Sequence, residues 1–242
     1  MAGSAQGFRP EVQGLRAIAV GVVVLFHLWP LRMPGGYVGV DVFFVISGFL
    51  ITSHLYREVE RTGTVRLLDF WARRIRRLLP ASLLVLAVSL VLVLAWVPTT
   101  QWLTNARELI ASALYVENWA LAADAVDYLA EGNQPSVAQH FWSLSVEEQF
   151  YLIWPLLMLA ALALAVRTGW NRRYAMVAAL SLVGGASFVW SIWATSQDRA
   201  SAYFITPTRV WEFAIGAAIA LVPLAPGLLA RVLLGWAGLA AI

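Results

Sequence analysis

The sequence predicts an all-α fold, a polytopic transmembrane bundle of about seven spans with a cytoplasmic N-terminus. Three observations carry that class. Hydrophobic residues make up 60% of the 242-residue chain and charged residues only 13%, where a soluble domain is about half apolar and about a quarter charged. The apolar residues gather in runs close to the ~20 residues that cross a bilayer as a helix. The arginines fall between those runs in an asymmetric pattern. The same figures exclude disorder, which needs low hydrophobicity and high charge. There is no cysteine, which excludes disulfides, thiolate nucleophiles and cysteine-ligated metals. All 17 basic residues are arginine, which removes Schiff-base chemistry and has the look of codon bias. The net charge of +3 is read as membrane topology, not as a nucleic-acid partner.

The expected spans are residues 12–30, 36–56, 79–97, 141–166, 174–195, 208–223 and 228–242. The first resembles a signal peptide in position. No small-residue cleavage site follows Trp29, so it is read as an uncleaved anchor. Residues 1–7 are expected to be a flexible terminus and 8–242 one membrane domain. The connection after the second span carries Arg57, Arg61, Arg66, Arg73, Arg74, Arg76 and Arg77. Arg167, Arg172, Arg173 and Arg231 lie in later connections on the same side. The 98–140 segment opposite carries Glu108, Glu117, Asp124, Asp127 and Glu131 against Arg107 alone. The positive-inside rule puts the arginine-rich connections in the cytoplasm. Residues 65–78, VRLLDFWARRIRRL, are expected to form a separate interfacial helix with a cationic face. Pro80 would then start the next span, where its missing N–H costs little. Residues 104–121 are expected to form one amphipathic helix on the outer surface.

Ionisable groups inside spans are costly and so are candidates for function. Arg16 and His27 are eleven residues apart, on one side of a helix and about 16 Å apart along it. The alternative is that Arg16 snorkels to head groups and His27 is an interfacial side chain beside Trp29. Asp41 lies in the glycine-rich start of the second span and needs a partner, for which His27 and Arg32 are candidates. The glycines there, at 35, 36, 39 and 48, are read mainly as close helix packing. His140, Glu147 and Tyr151 share a helical face, with Glu148 turned about 100° away. Arg209 and Glu212 are three apart, with a structural ion pair as the plainer reading. By the topology above, these acidic and imidazole groups gather towards the outer half, with Arg73–Arg77 at the cytoplasmic surface. No metal-ligand spacing is present, and no metal site or bound cofactor is expected.

In combination, five stretches are specific. They are RPEVQGLRAIAVGVVVLFHLWP, GGYVGVDVFFVISGFLI, FWARRIRRLLP, FWSLSVEEQFYLIWPLL and PTRVWEFAIGA. In this order the chain resembles the membrane acyltransferase 3 family, which O-acylates extracytoplasmic carbohydrates and some small molecules. The resemblance implies an acyl-CoA co-substrate, typically acetyl-CoA, reaching the enzyme from the cytoplasm, and a hydroxyl acceptor on an extracytoplasmic carbohydrate or glycoside. It implies that Arg16 and His27 are essential, and that Glu147 is the glutamate of the family's S-x-x-E pattern. It makes Arg73, Arg74, Arg76 and Arg77 the donor-binding motif. His27 is the expected general base, oriented by Glu147 or Asp41, with Arg16 on the donor or the oxyanion. His140, Tyr151, Arg209 and Glu212 are acceptor-side candidates. The expected location is the bacterial inner membrane. Family members usually carry more spans, so a C-terminally incomplete chain is expected, stabilised as a homo-oligomer or by a partner chain. The competing classes are a transporter or flippase, which would need no thioester, and an inactive remnant.

Overall fold

The computed structural model describes residues 9–124 and 136–221. The expected seventh span, the flexible 1–7 segment, Asp127, Glu131 and Arg231 lie outside the described residues. Among those described there is no strand. They form nine α-helices: α1 (Pro10–Leu28), α2 (Val38–Thr62), α3 (Leu67–Trp96), α4 (Trp102–Ala113), α5 (Glu117–Ala123), α6 (Phe141–Thr168), α7 (Arg172–Gln197), α8 (Arg199–Phe204) and α9 (Val210–Leu221). Five of these, α1, α2, α3, α6 and α7, are long and apolar enough to cross a membrane, and α9 is a shorter apolar helix. The chain is thus an all-α, multi-pass membrane bundle.

Two expectations are corrected. Residues 65–78 do not form a separate helix. From Leu67 they run unbroken into the following span as α3, with Pro80 inside it. An interior proline costs about 3 kcal/mol, and packing on both sides of it keeps the helix continuous. Phe70 is buried before it, and Leu86, Ser89 and Val93 after it. Residues 104–121 are not one helix either. The chain breaks between α4 and α5 at Tyr115, which takes a left-handed φ of 55°. The turn is held on both sides of that residue. Its hydroxyl meets Ser82 Oγ at 2.9 Å, and its carbonyl accepts from Gln149 Nε2 at 2.8 Å. The break turns Glu117 and Asn118 into the interior, where both are fully buried.

The described residues divide into two compact units, 9–53 with 212–221, and 54–211. In the first, α1 packs against the start of α2. A Cβ on Gly36 would stand 2.3 Å from the Val22 carbonyl oxygen, and one on Gly39 2.4 Å from that of Ala19. The two helices therefore touch backbone to backbone and run antiparallel. Further along α2, Gly48 and Gly216 of α9 form a second close crossing. A Cβ on either would lie 2.0 Å or less from a carbonyl oxygen of the other helix. Phe44 and Phe213 stack beside it at 4.6 Å.

In the second unit α3 and α6 are antiparallel. Trp71 Nε1 donates to the Tyr151 carbonyl at 3.3 Å. At the other end Leu86 and Val93 share an apolar cluster with Leu109, Ala138 and Phe141. Gly169 ends α6 with a positive φ of 69°, the usual glycine stop. The Asn171 side chain then caps α7 by accepting from Arg173 N.

Candidate functional site

In the first unit the candidates sit on α1, α2 and α9. Arg16 is half-buried and His27 exposed. Both flank the α1 stripe of Ala19, Val22, Val23 and Phe26 that faces α2. The Nδ1 of His27 lies 2.8 Å from the Val23 carbonyl oxygen. A carbonyl only accepts, so Nδ1 carries the hydrogen, and the helix's own backbone holds that side of the ring. Asp41 stands in the first turn of α2, half-buried, two residues beyond the Gly39 contact with α1. Glu212, at the start of α9, is buried.

In the second unit α3 and α6 bring together residues expected on opposite sides of the membrane. Arg74 Nη2 donates to Glu148 Oε1 at 2.9 Å. Its guanidinium lies over the Tyr151 ring, 3.6 Å from the centroid, and the Tyr151 hydroxyl donates to Glu147 Oε1 at 2.5 Å. Arg74 therefore shares one depth with Glu147, Glu148 and Tyr151. The expected division between an inner basic patch and an outer acid cluster does not hold for these four. The cause is the continuity of α3, which carries Arg74 in its second turn alongside the second turn of α6. Counting the motif on this chain also moves its glutamate. The residue three beyond Ser145 is Glu148, so the S-x-x-E assignment to Glu147 is corrected. The other arginines differ from Arg74. Arg73, Arg76 and Arg77 are exposed, and Arg73 Nη2 lies 3.5 Å from His54 Nε2. His54 escaped the sequence reading because it stands at the far end of α2, 19 residues before Arg73.

His140 is exposed at the start of α6, its ring 4.9 Å from that of Phe141. Arg209 is seated on aromatic and backbone groups. Its Nε donates to the Tyr203 carbonyl at 3.0 Å, and its guanidinium lies 4.4 Å from the Tyr203 ring centroid.

Sequence reasoning missed Gln149 altogether. Its Nε2 donates to the Tyr115 carbonyl and to Asn118 Oδ1, at 2.8 and 2.9 Å. Its Oε1 accepts from Trp119 Nε1 and Thr206 Oγ1, at 3.0 and 2.5 Å. All four of its hydrogen-bonding positions are used, which ties α5 and the turn before α9 to α6. Glu108 and Glu117 entered the sequence reading only as acidic charges of the external 98–140 segment. Both are buried. Burial and the neighbouring Glu108 push the Glu117 carboxyl up to about 9. Among the described residues no three His, Cys, Asp or Glu side chains gather as a metal-binding group.

The first unit thus carries an arginine and a histidine on one apolar helix, and the second an arginine–glutamate–tyrosine cluster; comparison with known proteins gives the class. The acyltransferase domain family matches residues 9–242. The chain belongs to the acyltransferase 3 family. It is similar to peptidoglycan O-acetyltransferase OatA of Listeria monocytogenes, at 36% identity over 88% of this chain and 34% of the relative. It is also similar to O-acetyltransferase OatA of Staphylococcus aureus strain NCTC 8325, at 38% identity over 89% of this chain and 35% of the relative. A putative O-acetyltransferase, SAS0844, of another S. aureus strain is 37% identical over 88% of this chain and 34% of its own length. The chain spans about a third of the length of these relatives. No solved structure matches it.

Proposed function

We propose that this chain is the membrane part of an O-acyltransferase that moves an acetyl group from acyl-CoA to a hydroxyl of an extracytoplasmic carbohydrate, in the bacterial plasma membrane. The names of its relatives support acetyl as the group and a cell-wall glycan as the acceptor class. The observation that carries the chemistry is the His27 hydrogen bond. With Nδ1–H held by the Val23 carbonyl, Nε2 is the atom proposed to take the acceptor's proton. The acceptor hydroxyl attacks the thioester carbonyl as Nε2 takes its proton. The tetrahedral intermediate then collapses, the C–S bond breaks, and the proton passes to the departing CoA thiolate. Arg16, three turns and about 16 Å along the same helix, is the proposed contact for polar groups of the donor away from the reacting carbonyl. Arg73, Arg76 and Arg77 are the proposed contacts for the donor phosphates, as paired N–H donors. Arg74 is reserved for Glu148. Tyr151 and Glu147 are the proposed acceptor-side pair.

The experiment is coupled measurement of CoA release and glycan O-acetylation in membranes carrying the full-length protein. A general base contributes about 10²–10⁴-fold, so His27→Ala should lose transfer on that scale with insertion unchanged. Near-normal transfer by His27→Ala removes the base assignment. Acylation without stoichiometric CoA release removes the donor.

A further inference from the structure

The α4–α5 hairpin lies alongside α3 and not beyond its end. Three contacts set the register. Trp102 Nε1 donates to the Val97 carbonyl at 3.0 Å. Leu109 shares an apolar cluster with Val93 and Leu86. The Tyr115 hydroxyl meets Ser82 Oγ at 2.9 Å. Residue numbers rise along α4 as they fall along α3, so the two helices are antiparallel. Ser82 stands fourteen residues before Trp96, about 21 Å along α3. Gln149, which donates to the Tyr115 carbonyl, is likewise about 12 Å inside the start of α6. Half of a bilayer's hydrocarbon core is about 15 Å thick. With Trp96 and Trp102 at the interface, where indole rings settle, the turn at Tyr115 reaches the middle of the bilayer that α3 crosses.

The hairpin's amphipathicity is the reverse of what water requires. Its polar side chains Asn105, Glu108, Ser112, Glu117 and Asn118 are buried. Between Glu108 and Asp124 the exposed residues are Ile110, Ala113, Leu114, Val116, Trp119 and Ala123. None carries a charge, and Ile110 and Leu114 are 62% and 67% exposed. The one polar group among these side chains, the Trp119 indole N–H, is spent on Gln149. The exposed charges Arg107 and Asp124 stand at the hairpin's open end and pair at 3.0 Å. At the turn Val116 N donates to the Ala111 carbonyl at 2.9 Å, and Gln149 meets the Tyr115 carbonyl. Irregular backbone survives at membrane depth only where protein satisfies it in this way. A helix lying on the membrane surface keeps its polar face in water and its apolar face in lipid. Here protein takes up the polar face, which leaves no side for water.

We propose that α4–α5 is a re-entrant hairpin, which enters the bilayer beside α3, turns back at Tyr115 and sets Ile110, Leu114 and Val116 against lipid acyl chains. Leu84, Val88 and Val91 of α3 are exposed and apolar over the same stretch, so the lipid covering α3 continues over the hairpin. Residues 102–123 then belong to the membrane-embedded part of the chain, in place of the surface position expected for them. This placement is independent of the identity of the acyl donor.

The chain has no cysteine, so single introduced cysteines each report one position. Thr104→Cys at the open end, and Ile110→Cys, Leu114→Cys and Val116→Cys towards the turn, are made in the full chain, labelled with a nitroxide and placed in lipid vesicles. Collisions with oxygen, which concentrates in hydrocarbon, and with a water-soluble nickel chelate define the surroundings. At 110, 114 and 116 oxygen should dominate, and at 104 the chelate should. A water-soluble maleimide should react about tenfold or more slowly at 114 than at 104, because a thiol in apolar surroundings stays protonated. Access of the chelate to 114 and 116 overturns the proposal and puts the hairpin in water. Shielding from both reagents overturns it too, and shows that another protein segment covers the face. All three side chains near the turn are exposed, so their exchange should leave folding intact, and a variant that fails to insert is replaced by the reading at the other two positions.

Discussion

Replacing Arg74 should damage the protein in a way that replacing its neighbour Arg73 does not. Both belong to the same arginine run, and the sequence offers no reason to separate them. In the structure Arg74 is inside. Its side chain is 20% exposed, that of Glu148 18%, and the two pair at 2.9 Å. The guanidinium also covers the Tyr151 ring. Removing one partner of a buried pair costs about 3–5 kcal/mol, mainly by leaving the other charge uncompensated. The remaining exposure lets water screen part of that, so Arg74→Gln should cost about 2–4 kcal/mol. Arg73 is exposed, and Arg73→Gln should stay within about 0.5 kcal/mol. The assay is apparent thermal stability in detergent for Arg74→Gln, Glu148→Gln and the double variant. Neutralising both sides removes the stranded charge, so the double variant should be more stable than the sum of the single losses. The coupling energy should be about 1–3 kcal/mol. A coupling below about 0.5 kcal/mol, or equal stabilities of Arg74→Gln and Arg73→Gln, would refute the assignment of Arg74 to Glu148. Arg74 would then return to the donor-binding set.

Two further outcomes are expected. Gly48→Ala and Gly216→Ala should each destabilise the first unit by about 3 kcal/mol or more, because the added methyl meets backbone that cannot rotate away. Gly185→Ala, with nothing within 4 Å of its Cβ position, should be neutral by the same thermal measurement. Gln149→Leu should cost about 2–4 kcal/mol, since it strands buried partners on α5 and beside Thr206. Limited proteolysis should then cut the α4–α5 hairpin faster than in wild type, and unchanged protection would show that the hairpin is held elsewhere.

The bundle was legible because its signals are long and repeated. Five apolar runs each mark a crossing helix whatever their neighbours do. The glycines at 36, 39 and 48 are packing positions as expected, whereas Gly35, read the same way, has nothing within 4 Å of its Cβ position. What failed was where helices start and stop. Pro80 and the arginines before it suggested a boundary, yet burial of Phe70 and Leu86 on either side outweighed the local signal. The opposite error was made at Tyr115. Its left-handed turn has no glycine or asparagine to announce it, and it depends on Ser82 and Gln149, which are distant in sequence. Errors in the site followed from these boundaries. Once residues 65–78 were drawn as a separate surface helix, Arg74 could not be seen beside Glu148.

The run Glu147-Glu148-Gln149-Phe150-Tyr151 shows why a motif in a membrane helix is not a roster of catalytic groups. Successive side chains on a helix turn by about 100°, so neighbours in the motif must face different elements. Glu148 faces α3 and pairs with Arg74. Gln149 faces α5 and the turn before α9, with its hydrogen-bonding capacity fully spent. Phe150 is buried, stacked on Trp154 at 5.0 Å. Glu147 accepts from Tyr151 one turn on. Three of these five residues thus have structural partners sufficient to explain their chemistry without a substrate. The Glu147–Tyr151 pair differs in that its hydrogen bond lies within one helix, while the Tyr151 ring packs beneath Arg74. Mutational loss of activity at Glu148 or Gln149 therefore cannot by itself assign catalysis. Loss at Glu147 or Tyr151 with the thermal midpoint unchanged can.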